Sequence, residues 1–189
     1  MENDPNVFLY GLDVDDPKAI LGTTRGLPET FGAGRCFGTP LSEDAMTGVG
    51  VGASWAGLRP IHVHIRMDFL FLAANQLLNM AAKSRYMFGG QHTAPIVVRA
   101  IVGKSWGQGA QHSQALHALF MHVPGMKIAA PTNPHDAKGC LLHATREKDP
   151  VLIIEHRLLY NQKGPVPDTL YSIAPGKARV SAVGTDITV

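Results

Sequence analysis

Ile96-Val-Val-Arg-Ala-Ile-Val102 and Val151-Leu-Ile-Ile-Glu155 are two almost wholly apolar runs, the first ending at Gly103 and the second at His156. Strands this uniformly apolar are covered on both faces, as in a parallel sheet under helices and unlike an antiparallel sheet with one wet face. Working outward, apolar runs and helical patterns alternate. Val7–Tyr10 is a short buried strand ended by Gly11, Ser42–Ala56 is small and apolar, and Pro60–Ile65 alternates as a strand. Phe69–Phe88 carries Leu70, Ala74, Leu77, Leu78 and Ala81 at helical spacing, with Asp68 as its N-cap. Strand Pro95–Ile101, helix Gln111–His122, strand Lys127–Ala130, helix Pro134–Glu147 and strand Val151–Glu155 follow, with Pro134 suited to a first turn and Asn133 placed to cap it. The expected fold is α/β: a parallel sheet flanked by helices on both faces and joined by right-handed crossovers. Such sheets bind ligands beyond the carboxyl ends of their strands, here around residues 11–26, 39–44, 66–69, 102–113 and 131–136.

The 189 residues suffice for one domain with a sizeable core. An apolar fraction of 45%, a charged fraction of 17% and a mean hydropathy of +0.02 exclude a disordered chain. Seventeen basic against fifteen acidic residues leave a formal charge of +2, too balanced for a surface that binds nucleic acid or anionic membrane. Cys36 and Cys140 lie far apart without a C-x-x-C, so they read as small buried hydrophobes of a reducing compartment rather than zinc ligands or a disulfide. No apolar run is long enough to span a membrane, and the N-terminal MENDPNVFLYG is acidic where a signal or transit peptide is basic; a soluble, cytoplasmic protein is expected. Residues 161–175 hold three prolines and no periodicity, which divides the chain into a domain over 1–160 and a wrapping segment or linker over 161–189. Lys177–Val183 and Ile187–Val189 read as strands around Gly184-Thr-Asp186, and the apolar ending predicts that more protein follows.

Several motifs fail on context. Gly48-Val-Gly-Val-Gly-Ala53 matches G-x-G-x-x-G/A but follows polar SEDAMT, where a dinucleotide site needs a strand; close helix packing accounts for it better. Gly103-Lys-Ser105 mimics the end of a P-loop with Val98 where the leading glycine belongs. His62 and His64 share one strand face and could chelate a metal, but a third ligand at sensible spacing is missing. Ser113 lacks the glycines of a nucleophile elbow. Two stretches survive. In Thr39-Pro-Leu-Ser-Glu43 a carboxylate begins an apolar helix, serving either a ligand or merely the helix dipole at about 0.3–1 kcal/mol. In Gly103–Ser113 a glycine-rich loop after a buried strand delivers His112 to a helix start, either facing a ligand or satisfied within the loop.

Taken in order, Thr39–Glu43, Gly57-Leu-Arg-Pro60, Asp68-Phe69, Asn75-Gln76, Ala81-Ala-Lys83, Gly89-Gly90, Ala110-Gln-His-Ser-Gln114, Pro124-Gly-Met-Lys127, Asp136-Ala-Lys-Gly139 and Pro150-Val151 resemble the β subunit of the thiamin-diphosphate-dependent 2-oxo acid dehydrogenases. The likeness, to the pyruvate, branched-chain and acetoin types, is to the N-terminal, transketolase-like pyrimidine-binding domain and covers almost the whole chain. It implies that Glu43 hydrogen-bonds the aminopyrimidine of thiamin diphosphate, favouring the imino tautomer that deprotonates the thiazolium. It further implies that Phe69 stacks on that ring and that His112 lies near thiazolium and substrate. The implied reaction is oxidative decarboxylation of a 2-oxo acid with transfer of the acyl group to the lipoyl group of an acyltransferase partner. An α subunit would complete an α2β2 enzyme and hold the diphosphate and Mg²⁺, since no Gly-Asp-Gly…Asn-Asn motif occurs here. Relatives of the mammalian type also bind structural potassium, at positions matching Ile96, Ala144, Thr145, Glu147 and Asp149, with Glu147 where Asp is common. The sequence departs from the family at Leu12, where Gly-Glu-Asp-Val is usual, and at His62, His64 and Arg66, where residues are commonly acidic or neutral; these changes point to altered specificity. A split transketolase-like ketol transferase and a non-catalytic assembly module are the alternative readings.

Overall fold

In a computed structural model, which describes residues 1–104, 107–176 and 178–189, six parallel strands form one sheet in the order β2-β1-β3-β4-β6-β5. They are β1 (Val7–Gly11), β2 (Cys36–Gly38), β3 (Arg59–His64), β4 (Val97–Val102), β5 (Lys127–Ala129) and β6 (Val151–His156). The apolar runs that define the sheet are its centre: β4 lies between β3 and β6, with Val97 opposite Val151 and Ile101 opposite Glu155. Period-two alternation sends Ile96, Val98, Ala100 and Val102 into one core, with Leu152, Ile154, Leu70, Leu77 and Phe120. Val97 and Ile101 enter the core on the opposite face, with Val7, Leu9, Ile61, Val63 and Ile153. Arg99 points to that second face as well. Its guanidinium is buried against Glu155, two rows along the neighbouring strand, with Nε and Nη2 donating to the carboxylate at 2.5 and 2.8 Å.

The two longest helices among the described residues are α1 (Glu43–Trp55) and α2 (Pro134–Ala144). The small-residue stretch lies inside α1, far from any strand end, and its role is contact. A Cβ on Gly50 would come within 2.1 Å of the Tyr10 hydroxyl, which donates to Met46 O at 2.9 Å and fastens α1 to β1. α2 begins as its sequence implies: the Asn133 side chain accepts from the Asp136 N–H at 2.9 Å, and Pro134 stands in the first turn.

Other expectations change. The helix over 69–88 is broken into a 3₁₀ turn (Met67–Phe71), a π-helical stretch (Asn75–Ala81) and a short α turn (Ser84–Met87). Its hydrogen bonds shift register where the Ala82 N–H reaches Leu77 O. Asp68 caps nothing in that segment. The helix over 111–122 is also divided, into a 3₁₀ turn at Ala110–His112 and an α turn at His117–Met121. Among the described residues beyond 160 only turns, bends and irregular chain are found. Lys177 lies outside the described residues, and 178–183 and 187–189 form no strand: Ala182 and Val189 exchange a backbone pair at 2.9 Å, while Val183 and Ile187 stay exposed with no sheet beside them. The segment before them lies along α2. Tyr171 donates its hydroxyl to His135 O at 2.7 Å, and Ile173 and Tyr171 come so close to Gly139 that any side chain there would collide with them.

Candidate active site

The sheet order reverses at β1, which pairs with β2 on one side and β3 on the other, and the chain leaves these strands in opposite directions. A crevice therefore opens beyond their carboxyl ends. It holds a cavity of about 450 Å³ whose walls include Leu12, Glu43, His62, Arg66, Phe69 and His112.

Each polar wall residue arrives by its own route. Thr39–Ser42 carries the chain from β2 to α1, so that Glu43 is the first residue of the helix, half-buried at the cavity wall. Among the described residues its carboxylate has no hydrogen-bond or ion-pair partner. Phe69 projects from the 3₁₀ turn that follows β3, and His112 ends the 3₁₀ turn Ala110–His112. The two rings meet edge to face, with centroids 5.2 Å apart. Asp68, read from sequence as a cap, fixes this meeting: its buried Oδ1 accepts from the Gln114 backbone N–H at 3.1 Å and from Gln114 Nε2 at 2.9 Å. The loop that presents His112 is thereby tied to the turn that presents Phe69. Ser105 and Trp106, and with them the end of the P-loop-like Gly103-Lys-Ser, lie outside the described residues.

His62 and His64 line the cavity from the α1 side of β3. The His62 ring stacks on Tyr10 at 4.3 Å, and its Nδ1–H donates to Tyr10 O at 3.4 Å. His64 meets His62 edge-on at 4.3 Å, with Nε2 3.3 Å from Thr47 Oγ1. Burial pushes the His62 pKa down to about 4, partly countered by the Tyr10 carbonyl; burial and then His62 push His64 well below its ordinary value. Both rings are neutral at pH 7. Among the described residues no three His, Cys, Asp or Glu side chains gather to hold a metal, so the pair is a buried polar stack with one unpartnered atom, His62 Nε2.

The residues matched to potassium do come together, but they do not fit a free cation. Thr145 O and Glu147 O both accept from Arg59 Nη1, at 2.9 and 3.1 Å, and Ile96 O accepts from the Val151 N–H at 3.0 Å. Glu147 pairs with Lys127 and His143, and Asp149 with Arg85 at 2.7 Å and Lys127 at 3.5 Å. Ala144 closes α2 nearby, at its last residue. A guanidinium already bridges two of the carbonyls, and the carboxylates are matched by side-chain cations.

A parallel-sheet domain thus opens a crevice at its switch point, walled by a carboxylate unpaired among the described residues and by an aromatic ring. The model of the transketolase pyrimidine-binding domain matches residues 1–163, and the chain belongs to that family. Over its whole length it is 42% identical to the β subunit of acetoin:2,6-dichlorophenolindophenol oxidoreductase from Cupriavidus necator and 45% identical to the 2-oxoisovalerate dehydrogenase β subunit of Bacillus subtilis. It is 40% identical to a mitochondrial pyruvate dehydrogenase E1 β subunit of Oryza sativa subsp. japonica. The chain spans 59, 58 and 52% of these three relatives' lengths. Among solved structures, a split-gene transketolase described as an inactive β4 tetramer shares the fold, with a TM-score of 0.70 and 21% identity over 95% of this chain and 53% of that one. No helix among the described residues is long and apolar enough to cross a membrane.

Proposed function

We propose that this chain is the pyrimidine-binding part of the β subunit of a thiamin-diphosphate-dependent 2-oxo acid dehydrogenase. The observation that carries the reading is the Glu43 carboxylate, without a partner among the described residues at the cavity wall that also presents Phe69. An unpaired acid beside an aromatic face, between apolar walls, suits a flat heteroaromatic ring with a basic nitrogen. When bound, the cofactor supplies a nucleophilic thiazolium carbon and an electron sink for decarboxylation. Glu43 would hold the ring nitrogen by sharing a proton with it, Phe69 would stack on the ring and orient it, and His112, held by the Asp68–Gln114 clamp, would stand on the substrate's side. Apolar side chains (Leu12, Met46, Val63) on the same wall would lower the local dielectric and strengthen a hydrogen bond from Glu43 to a bound ring.

The diphosphate and Mg²⁺ belong on an α subunit in an α2β2 assembly, with a lipoyl acyltransferase as acyl acceptor. Leu41 and Leu72, exposed at the cavity, give that subunit an apolar surface to cover. Relatives at 40–45% identity favour this reading over a ketol transferase, the solved transketolase being alike in fold alone. The test is assembly with an α subunit that carries the diphosphate motif. Release of CO2 from a 2-oxo acid, lost in Glu43→Gln while thiamin diphosphate still binds, is the expected result. Turnover of ketol donors without CO2 would establish the transferase instead, and cofactor binding without any turnover an assembly module.

A further inference from the structure

Among the described residues that wall the cavity, Arg66 is the one arginine or lysine. It directly follows Ile65 at the carboxyl end of β3, in extended backbone, and is half-buried. Its guanidinium makes a single hydrogen bond among the described residues, from Nη1 to the carbonyl of Ile65 at 2.9 Å, and its Nε is buried with no partner. No carboxylate among the described residues comes within ion-pair distance of it, whereas Arg99 and Arg85 each hold one. A second guanidinium, Arg157, stands close enough to disfavour the Arg66 charge, after burial and against Asp68, and Arg157 is itself anchored by donating to Gln108 Oε1 at 2.6 Å. A guanidinium without an ion-pair partner among the described residues, on a cavity wall and backed by another cation, is an anion-binding arrangement.

We propose that Arg66 determines substrate specificity by binding a carboxylate that the substrate keeps, so that the preferred 2-oxo acid is dicarboxylic. The inference rests on the function proposed above and names the substrate class of that site. The choice between the two ends of such a substrate follows from charge. A guanidinium on the carboxylate that departs as CO2 would stabilise the starting state and lose its partner as the bond breaks, opposing the reaction. On a carboxylate that stays, the ion pair is the same before and after decarboxylation, and its energy serves binding and orientation. Glu43 makes no ion pair with Arg66, and the function proposed above commits it to the cofactor ring; Leu12, Val63 and Ile65 supply no charge.

The test uses the assembled α2β2 enzyme, with ferricyanide as electron acceptor, on 2-oxoglutarate and on 2-oxopentanoate, which has the same chain length without the second carboxylate. The wild type should favour the diacid. Arg66→Met should lower the diacid-to-monoacid ratio of kcat/KM roughly 10- to 100-fold, mostly through KM, and Arg66→Lys should restore part of it. Equal use of the two acids by the wild type, or an unmoved ratio in Arg66→Met, would overturn the proposal while leaving the dehydrogenase intact. So would a raised KM for thiamin diphosphate with substrate order unchanged, which would make the cofactor's diphosphate the anion, or weakened binding of the α subunit alone, which would make it an acid of that partner. Absence of CO2 from every 2-oxo acid would remove the underlying function, and this inference with it.

Discussion

Two cavities open at the carboxyl end of the same sheet, and they treat their polar groups in opposite ways. Beyond β1 and β3, among the described residues, Glu43 has no partner, Arg66 has one hydrogen bond, to the Ile65 carbonyl, and His62 Nε2 is left over. Beyond β5 and β6 lies a cavity of about 330 Å³ that also contains an arginine and a glutamate. There, Arg99 grips Glu155 through two hydrogen bonds and Tyr160 donates its hydroxyl to the same carboxylate at 2.7 Å. Burial alone would lower the Arg99 pKa, but Glu155 more than offsets it. Buried polar groups are ordinarily satisfied, as those of the second cavity are; the first leaves its carboxylate and guanidinium free for the ligand proposed above.

The sharpest way to break this contrast is to neutralise one carboxylate in each cavity. Glu43→Gln should lower turnover of the assembled enzyme by about 10³- to 10⁴-fold, roughly 4–5.5 kcal/mol of barrier, with an unchanged thermal midpoint. A fall in the midpoint would make Glu43 a structural acid. On the other side, Arg99→Leu should cost about 3–5 kcal/mol of stability by leaving Glu155 buried without its cation. Arg99→Leu/Glu155→Leu should recover most of that in urea titrations, and a single variant as stable as wild type would dissolve the distinction between the two sites.

A smaller effect separates the cavities by pH. His62 is held neutral with a pKa near 4, whereas in the unfolded chain it titrates near its ordinary 6.5. The unfolded state therefore binds more protons between those values, and the stability that is complete above pH 6.5 is lost as pH falls towards 4, by up to about 3 kcal/mol. His62→Val should flatten this slope in thermal melts from pH 7.5 to 4.5, leaving the contribution of His64. Smallest is the cap: Asn133→Ala should cost about 1 kcal/mol in the same melts and leave turnover alone. A larger loss would mean that the β5–β6 side depends on α2 more than its hydrogen bonds show.

What could be read in advance depended on whether a residue's partners were local. β4 and β6 announce themselves by composition, and the Asn133-Pro134 start of α2 is complete within four residues. β2 did not show because three residues, Cys36–Gly38, at a sheet edge carry no period. The helix expected at 111–122 fails for a long-range reason: the Gln114 N–H, which a helix begun at Gln111 would tie to Ala110 O, goes instead to Asp68, 46 positions earlier. Glu43, Phe69 and His112 were recognisable as a set through family likeness, and the structure brings all three to one cavity. The charges within IVVRAIV and VLIIE were visible, but their pairing required knowing that β6 lies beside β4.

That last adjacency governs how the molecule comes into being. Among the described residues β6 comes last of the six strands, yet it sits between β4 and β5, so β5 has no neighbour to join until Val151–His156 emerges. With every pairing parallel and no hairpin to nucleate locally, the sheet assembles slowly and from distant pieces. A nascent chain halted before Val151 would display the bare edge of β4 and a detached β5, and should be captured by chaperones or aggregate rather than fold.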